Sequence, residues 1–303
     1  MASVQEILRD YTNELARASV DSPRLSAEVL LAHAMHVSRG DLLKAMILSP
    51  EALPSPEQLA FADELIARRR AGEPVAYITG VKEFYGREFF VTPATLIPRP
   101  DTEVLVEEAL RFASSLSAAS HSEPVSFIDL GTGSGCIAVT LGLELPAWQG
   151  IAVDISADAL VVAAHNGSNL GAGNIRFLLG DFTAPLFPFN SFAMVVANPP
   201  YVSECEYKTL SHEVARFEPK RALVPEGEGE QGLEALFAVM DTASSLLQPK
   251  GMLFMEMGCT QGYALLEHAA SLPEWKHCRI VQDLAGLPRV FCAVRAQDAQ
   301  RVP

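Results

Sequence analysis

An apolar run, Phe192 to Ala197, stops abruptly at Asn198-Pro199-Pro200-Tyr201. These four residues offer a definite chemistry. An asparagine amide supplies an oxygen acceptor, the Pro199 carbonyl supplies a second, and the two prolines fix their own φ angles and bring no backbone donors. A corner of this kind suits a flat group carrying N–H donors, an amide or an exocyclic amine, with Tyr201 to pack over its plane. It serves equally well as a stiff turn after a strand, so other stations along the chain must decide between the two.

Three such stations lie upstream. Gly131-Thr132-Gly133-Ser134-Gly135, within "DLGTGSG", has G-x-G-x-G spacing rather than the dinucleotide G-x-G-x-x-G/A; its glycines permit a tight turn and close approach of a ligand to the backbone. Asp154 ends the next apolar segment, where an acidic residue can accept hydrogen bonds from both hydroxyls of a ribose. Asp181-Phe182, in "LLGDFTAP", offers an acceptor for an adenine amino group and an apolar surface for its ring, or else is an ordinary loop pair. Each has a plain structural use, the glycines as a tight strand-to-helix turn. Four successive strand ends along one sheet edge point together to a nucleoside-containing ligand.

The elements that must hold these residues follow from periodicity. "VSFIDL", "GIAVDI", "IRFLL", "FAMVVA", "GMLFMEM", "HCRIVQ" and "RVFCAV" read as seven strands, the first five separated by helical or loop segments such as "GCIAVTLGLEL", "ADALVVAAHNGSNL" and "GLEALFAVMDTASSLL". Strand–helix alternation predicts an α/β fold with a mostly parallel, doubly wound sheet over residues 101–303, whose ligands sit at the carboxyl ends of the strands. Residues 1–75 read as short helices. Val4, Ile7, Leu8, Tyr11 and Leu15 share one helical face, Ser3 and Ser55 stand at capping-box spacing, and Ser22-Pro23 is an expected N-cap with proline in the first turn. Arg68, Arg69 and Arg70 at a helix C-terminus are accounted for by the macrodipole. Residues 76–100, rich in aromatics, glycine and proline, read as a β-hairpin and stiff connection between the two regions, apolar enough to form the wall of a cleft.

Bulk properties narrow the classes. The 303 residues carry a formal charge of −14 and are 49% hydrophobic, an ordinary globular composition whose acidity disfavours a nucleic-acid partner. No apolar run reaches bilayer length and no leader is expected, so a cytoplasmic protein without a membrane association is predicted. The five cysteines are scattered without C-x-x-C pairs, which suits free thiols rather than disulfides or a zinc site, and no metal is expected.

Beyond these readings, the chain resembles S-adenosylmethionine-dependent methyltransferases of the Rossmann-like class, and Asn-Pro-Pro-Tyr resembles their amino-methylating branch. "YITG", "EF" (83–84), "LIPRPDTE" (96–103), "DLGTGSGCIA", "NPPY", "FEP" (217–219) and "DLAGLPR" (283–289) occur in the order found in the peptide chain release factor glutamine methyltransferases. The resemblance implies a seven-stranded methyltransferase domain preceded by a small all-helical substrate-recognition domain and a β-hairpin linker. It implies S-adenosyl-L-methionine as cofactor, held by Gly131 to Gly135, Asp154, Asp181, Phe182 and Asn198. Asn198, Pro199, Pro200 and Tyr201 become the catalytic corner. The implied reaction is methylation of the side-chain nitrogen of the glutamine in the Gly-Gly-Gln loop of release factors. Arg99 and Glu103 either clamp the linker or shape the cofactor entrance. Gln231 departs from the family, which usually carries aspartate there. A ribosomal RNA guanine-N2 or DNA adenine-N6 methyltransferase is the alternative, because NPPY is shared with those enzymes. No residue requires a second copy, so a monomer is expected.

Overall fold

The computed structural model describes residues 3–48, 53–116, 125–227 and 231–297. Its chain divides into two compact units. The first runs to Val81 and takes in Ser211–Phe217; the second holds Lys82–Leu210 and everything from Glu218 onward.

The first unit is helical: α1 (Val4–Arg17), α2 (Pro23–Ala34), α3 (Arg39–Leu48), α4 (Pro56–Arg70) and the short α5 (Val75–Thr79). Reciprocal capping boxes start α1 at Ser3/Glu6 and α4 at Ser55/Gln58. The α1 stripe Val4, Ile7, Leu8, Tyr11, Leu15 is buried against Leu30, Leu31 and Ile66 in one core. Two local expectations fail. Ser22 adopts a left-handed conformation (φ 51°) and makes no capping hydrogen bond, so Pro23 alone presets the first turn of α2. The three arginines ending α4 do more than meet a dipole: Arg68 pairs with Glu73 at 2.6 Å, Arg70 with Glu14 at 2.8 Å, and the buried Arg69 with Glu213 at 2.7 Å.

The second unit opens with a two-stranded hairpin, β1 (Val81–Phe84) and β2 (Arg87–Phe90), turned through Tyr85 and Gly86. The connection from Val91 leads into α6 (Glu103–Leu116). Strand–helix alternation follows: β3 (Ser126–Leu130), α7 (Cys136–Glu144), β4 (Gln149–Asp154), α8 (Ala157–Leu170), β5 (Ile175–Leu179) and β6 (Phe192–Ala197). After the short α9 (Glu204–Tyr207), and past α10 (His212–Phe217), which belongs to the first unit, come α11 (Glu234–Leu246), β7 (Leu247–Glu256), α12 (Gly262–Ser271), β8 (Trp275–Gln282) and β9 (Pro288–Arg295). The seven strands order as β5-β4-β3-β6-β7-β9-β8, with β9 alone inserted antiparallel between β7 and β8. β7 starts earlier than the expected Gly251, because an irregularity between Phe192 and Met194 lets Leu247 pair as well.

Burial on both faces explains the unbroken apolar strands. Every residue of β6 is buried. One face packs on α6 and α7 through Phe127, Met194 and Phe254; the other packs on α11 and α12 through Ile128, Val195 and Leu253. Register then sets the site. Leu130 lies opposite Val153 and Ala197, Asp154 opposite Leu179, and Ala197 opposite Met255. The residues that follow Leu130, Val153, Leu179 and Ala197 therefore lie along one edge, and strand order reverses between β3 and β6 where such folds bind ligands. Among the described residues no helix is long and apolar enough to cross a membrane.

Candidate active site

At this edge a cavity of about 390 Å³ is lined by Gly131, Thr132, Gly133, Ser134, Asp154, Asp181, Phe182, Asn198, Pro199 and Pro200. Two of the sequence-selected residues stand outside it. Gly135 caps α7 in a left-handed conformation and faces α8, where an added Cβ would come within 3.1 Å of the Ala163 side chain; it is glycine for helix packing. Tyr201 turns away to pack with the core beneath α11 and α12.

The glycine turn is a cradle of backbone. Gly131 and Gly133 have φ of 77° and 56°, and a Cβ at either position would meet nothing within 4 Å, so this surface is open to a ligand. The Gly131 and Thr132 N–H groups both donate to the Val153 carbonyl at 2.9 Å. Asp154 accepts the Gly133 N–H through Oδ2 and the Ser156 N–H through Oδ1, each at 2.8 Å. Each carboxylate oxygen retains further lone-pair capacity for a hydroxyl. Asp181 holds a tight turn, its Oδ1 accepting from the Thr183 N–H (2.9 Å) and hydroxyl (2.7 Å). Beneath the turn, Asp129 is fully buried and accepts the Thr132 hydroxyl at 2.6 Å. Burial pushes its carboxyl up to about 7, against the Thr132 hydrogen bond and with the help of Asp154.

The asparagine corner is held by side chains from distant segments. Asn198 Nδ2 donates to Thr102 Oγ1 at 3.3 Å, and the Thr102 hydroxyl donates to Glu256 Oε2 at 2.6 Å. The Tyr201 hydroxyl donates to Glu256 Oε1 at 3.0 Å. Glu256 ends β7, level with Asn198 in the sheet, and is buried. Burial pushes its carboxyl above the ordinary carboxylate range, while the Thr102 and Tyr201 hydrogen bonds and the Arg289 charge oppose that shift. Gln261 fixes the next turn of backbone: its Nε2 donates to the carbonyls of Tyr201 (2.9 Å) and Gln231 (2.8 Å). A backbone carbonyl serves at Gln231, so that contact does not depend on which side chain stands there.

The "LIPRPDTE" segment resolves into separate attachments. Arg99 forms an ion pair with Glu218 of the "FEP" motif, whose other oxygen accepts the Ile97 N–H at 3.1 Å. Asp101 meets Arg289 at 3.2 Å, Thr102 meets Glu256, and Glu103 accepts the Tyr85 N–H at 2.9 Å. Arg99 also lines the cavity, as do Ala94, Leu96 and Thr102, whereas Glu103 does not. The connection is thus a wall of the cleft. In "DLAGLPR", Asp283 caps its own turn through the Ala285 and Leu287 N–H groups and holds Arg289 at 3.1 Å. The opposite wall, with Pro219, Ala222, Pro225, Glu234 and Ala238, carried no motif beyond Pro219 in "FEP". Cys136 also lines the cavity, but burial pushes its thiol up to about 12, away from the reactive thiolate.

Comparison with known proteins sharpens this geometry. Two family models match, the PrmC N-terminal domain over residues 6–80 and a methyltransferase domain over residues 121–292. A release factor glutamine methyltransferase of Nitratidesulfovibrio vulgaris is 45% identical over 298 residues, covering 97% of this chain and 96% of that protein. The chain belongs to the release factor glutamine methyltransferase family. Its relatives of the same name include those of Vibrio cholerae, 38% identical over 95% of each chain, and Escherichia coli, 40% identical over 86% of this chain and 88% of that protein. Among solved structures, the hMettl16 catalytic domain in complex with the MAT2A 3'UTR hairpin 6 superposes with a TM-score of 0.51 at 17% identity, covering 79% of this chain and 84% of that one. That likeness shows the Rossmann-like methyltransferase fold, with its seven-stranded, mostly parallel sheet and flanking helices.

Proposed function

We propose that this methyltransferase transfers a methyl group from S-adenosyl-L-methionine to the side-chain nitrogen of the glutamine in the Gly-Gly-Gln loop of peptide chain release factors. The observation that carries the reading is the single cavity edge shared by the glycine cradle and Asn198-Pro199-Pro200, in a chain matching release factor glutamine methyltransferases over nearly its whole length. The residues fit the cofactor. Open backbone at Gly131 to Ser134 receives its amino-acid portion, Asp154 the ribose hydroxyls, and Asp181 with Phe182 the adenine. When bound, the cofactor supplies an electrophilic methyl on a sulfonium.

The chain's part in the reaction is positioning. A glutamine amide nitrogen is weakly nucleophilic because its lone pair is delocalised, and it carries two N–H donors. Asn198 Oδ1 accepts one and the Pro199 carbonyl the other. Both acceptors aim the nitrogen and favour the positive charge that develops as the nitrogen–carbon bond forms. An aspartate would add a negative charge where a neutral acceptor suffices. Pro199 and Pro200 keep the acceptors rigid, and Tyr201 braces the loop from behind. The helical region matching the PrmC N-terminal domain carries the surface that recognises the release factor, and the enzyme works as a cytoplasmic monomer.

Radiolabelled methyl transfer to a purified release factor tests the reading, with a glutamine-to-alanine loop as control. Label confined to the intact loop is expected. Equal label in the altered loop would overturn the glutamine as the methylated group, and label found only in nucleic acid would replace this reading by the guanine or adenine alternative, which the relatives do not favour.

A further inference from the structure

We propose that Glu256 and Thr102 are positioning residues that fix which end of the Asn198 amide is presented to the methyl acceptor. The inference rests on the reading above, in which Asn198 accepts a substrate N–H. An asparagine amide has an acceptor end and a donor end of nearly the same shape, and a substrate nitrogen bearing two hydrogens is served by only one of them. A corner that left the amide free to turn would bind its substrate half the time with donor facing donor.

The hydrogen-bond chain behind Asn198 removes that freedom. It begins at Glu256, buried at the end of β7. An ionised carboxylate only accepts, and two hydroxyls point their protons at it: Tyr201 at 3.0 Å on Oε1 and Thr102 at 2.6 Å on Oε2. With its single proton committed to Glu256, Thr102 Oγ1 presents only lone pairs to the amide 3.3 Å away. Only the NH₂ end of Asn198 can meet them. Oδ1 is therefore left to the cavity that Asn198 lines. Polarity passes in one direction, from carboxylate to hydroxyl to amide, and ends on an acceptor facing the substrate.

The reverse chain is equally specific. A protonated Glu256 would donate to Thr102, Thr102 would donate to Asn198 Oδ1, and the NH₂ would confront the substrate's own N–H. The groups acting on Glu256 are Arg289, Asp101, Tyr201, Thr102 and the Cys136 thiol. Arg289 supplies the cation that favours the ionised form, and Asp283 at 3.1 Å and Asp101 at 3.2 Å hold it in place. This gives the "DLAGLPR" segment, far from Asn198 in sequence, a function at the acceptor corner.

The test uses the full chain labelled with ¹⁵N-asparagine, the Asn198 side-chain amide pair being assigned by its loss in Asn198→Ala. Thr102→Val removes the hydroxyl at nearly constant shape, and Thr102→Ser keeps it. In Thr102→Val the Asn198 pair should shift and exchange its hydrogens faster, and in Thr102→Ser it should stay near wild type. In methyl transfer, Thr102→Val should lower kcat about tenfold at nearly constant KM, the scale of one lost orienting hydrogen bond, and Thr102→Ser should restore it. Placed on Asn198→Ala, Thr102→Val should cause no further loss. An unmoved amide pair in Thr102→Val, or an equal kcat loss in both backgrounds, overturns the proposal; if Thr102→Val does not fold, Thr102→Ala takes its place. The resonance arm needs no methyl acceptor, so a release factor that takes no label would sink the proposed reaction while the amide pair still decides the relay.

Discussion

At Gly131–Gly135 the cavity is shaped by backbone, and its supports are near in sequence: Asp129 three residues from Thr132, Asp154 twenty-one from Gly133. At Asn198–Tyr201 it is shaped by side chains whose supports are far: Thr102 is 96 residues from Asn198, Glu256 is 55 and Gln261 is 60 from Tyr201. The difference matches what each corner has to do. A cradle for a ligand's polar backbone contacts needs open space and unusual φ angles, which glycines supply locally. An acceptor that must meet one particular N–H needs its orientation fixed, and only neighbours converging from several elements can fix it. Substitutions at the two corners should therefore fail differently.

The largest effect is expected at the acceptor itself. Asn198→Ala should lower kcat for methyl transfer by about 100- to 1,000-fold, the scale of losing one preorganised group at the reacting centre. Cofactor binding, followed by calorimetry, should change far less, because the glycine cradle, Asp154 and Asp181 are untouched. Near wild-type turnover in this variant would show that Asn198 is not the orienting acceptor.

Next comes a glycine that serves the asparagine corner from a distance. Gly232 has a φ of 66°, and a Cβ there would lie 2.3 Å from the Tyr201 carbonyl oxygen and 3.1 Å from the Ser203 nitrogen. Both are backbone atoms, so the loop after Pro200 must move. Gly232→Ala should cost about 2–4 kcal/mol by thermal or denaturant unfolding, combining left-handed strain with overpacking, and should depress kcat as well. The matching change at the other corner is milder. Gly133→Ala adds a Cβ into open space and should cost only the left-handed strain, about 1–2 kcal/mol, with its functional penalty in cofactor affinity rather than kcat. Should Gly133→Ala depress kcat while leaving cofactor affinity intact, the division of labour between the corners would be mistaken.

The same contrast governs how much of the molecule could be read from its residues. Strand ends bearing Gly131, Asp154, Asp181 and Asn198 were legible because each motif is contiguous and each strand is an apolar run; register then places them on one edge. "LIPRPDTE" was recognisable, but the partners of its members were not: Glu218, Glu256, Arg289 and the Tyr85 N–H are set by tertiary folding. Tyr201 was expected to lie over the substrate plane because aromatic rings suit flat groups. Its hydroxyl meets a buried carboxylate, a partner that no local pattern announces. Ser22 was expected to cap α2 by residue type, but a left-handed φ takes its side chain out of capping position.

The smallest expected effect concerns the base of the glycine corner and has a definite sign. Asp129 is buried under Thr132, and its carboxyl is pushed up to about 7 in the folded chain, against an ordinary value near 3.9 when unfolded. A group with a raised folded pKa binds its proton more tightly in the native state. Its contribution to stability is thus complete below about pH 4 and is lost as pH rises through about 7. Between pH 6 and 8 this single group should lower stability by about 1 kcal/mol. Asp129→Asn keeps an oxygen for the Thr132 hydroxyl but cannot ionise, so its unfolding free energy should fall less steeply over that range. Denaturant titrations of both proteins at pH 6, 7 and 8 make the comparison. Parallel curves would mean that Asp129 is already ionised in the folded chain at pH 6, so that burial beneath the glycine corner does not hold its proton into this range.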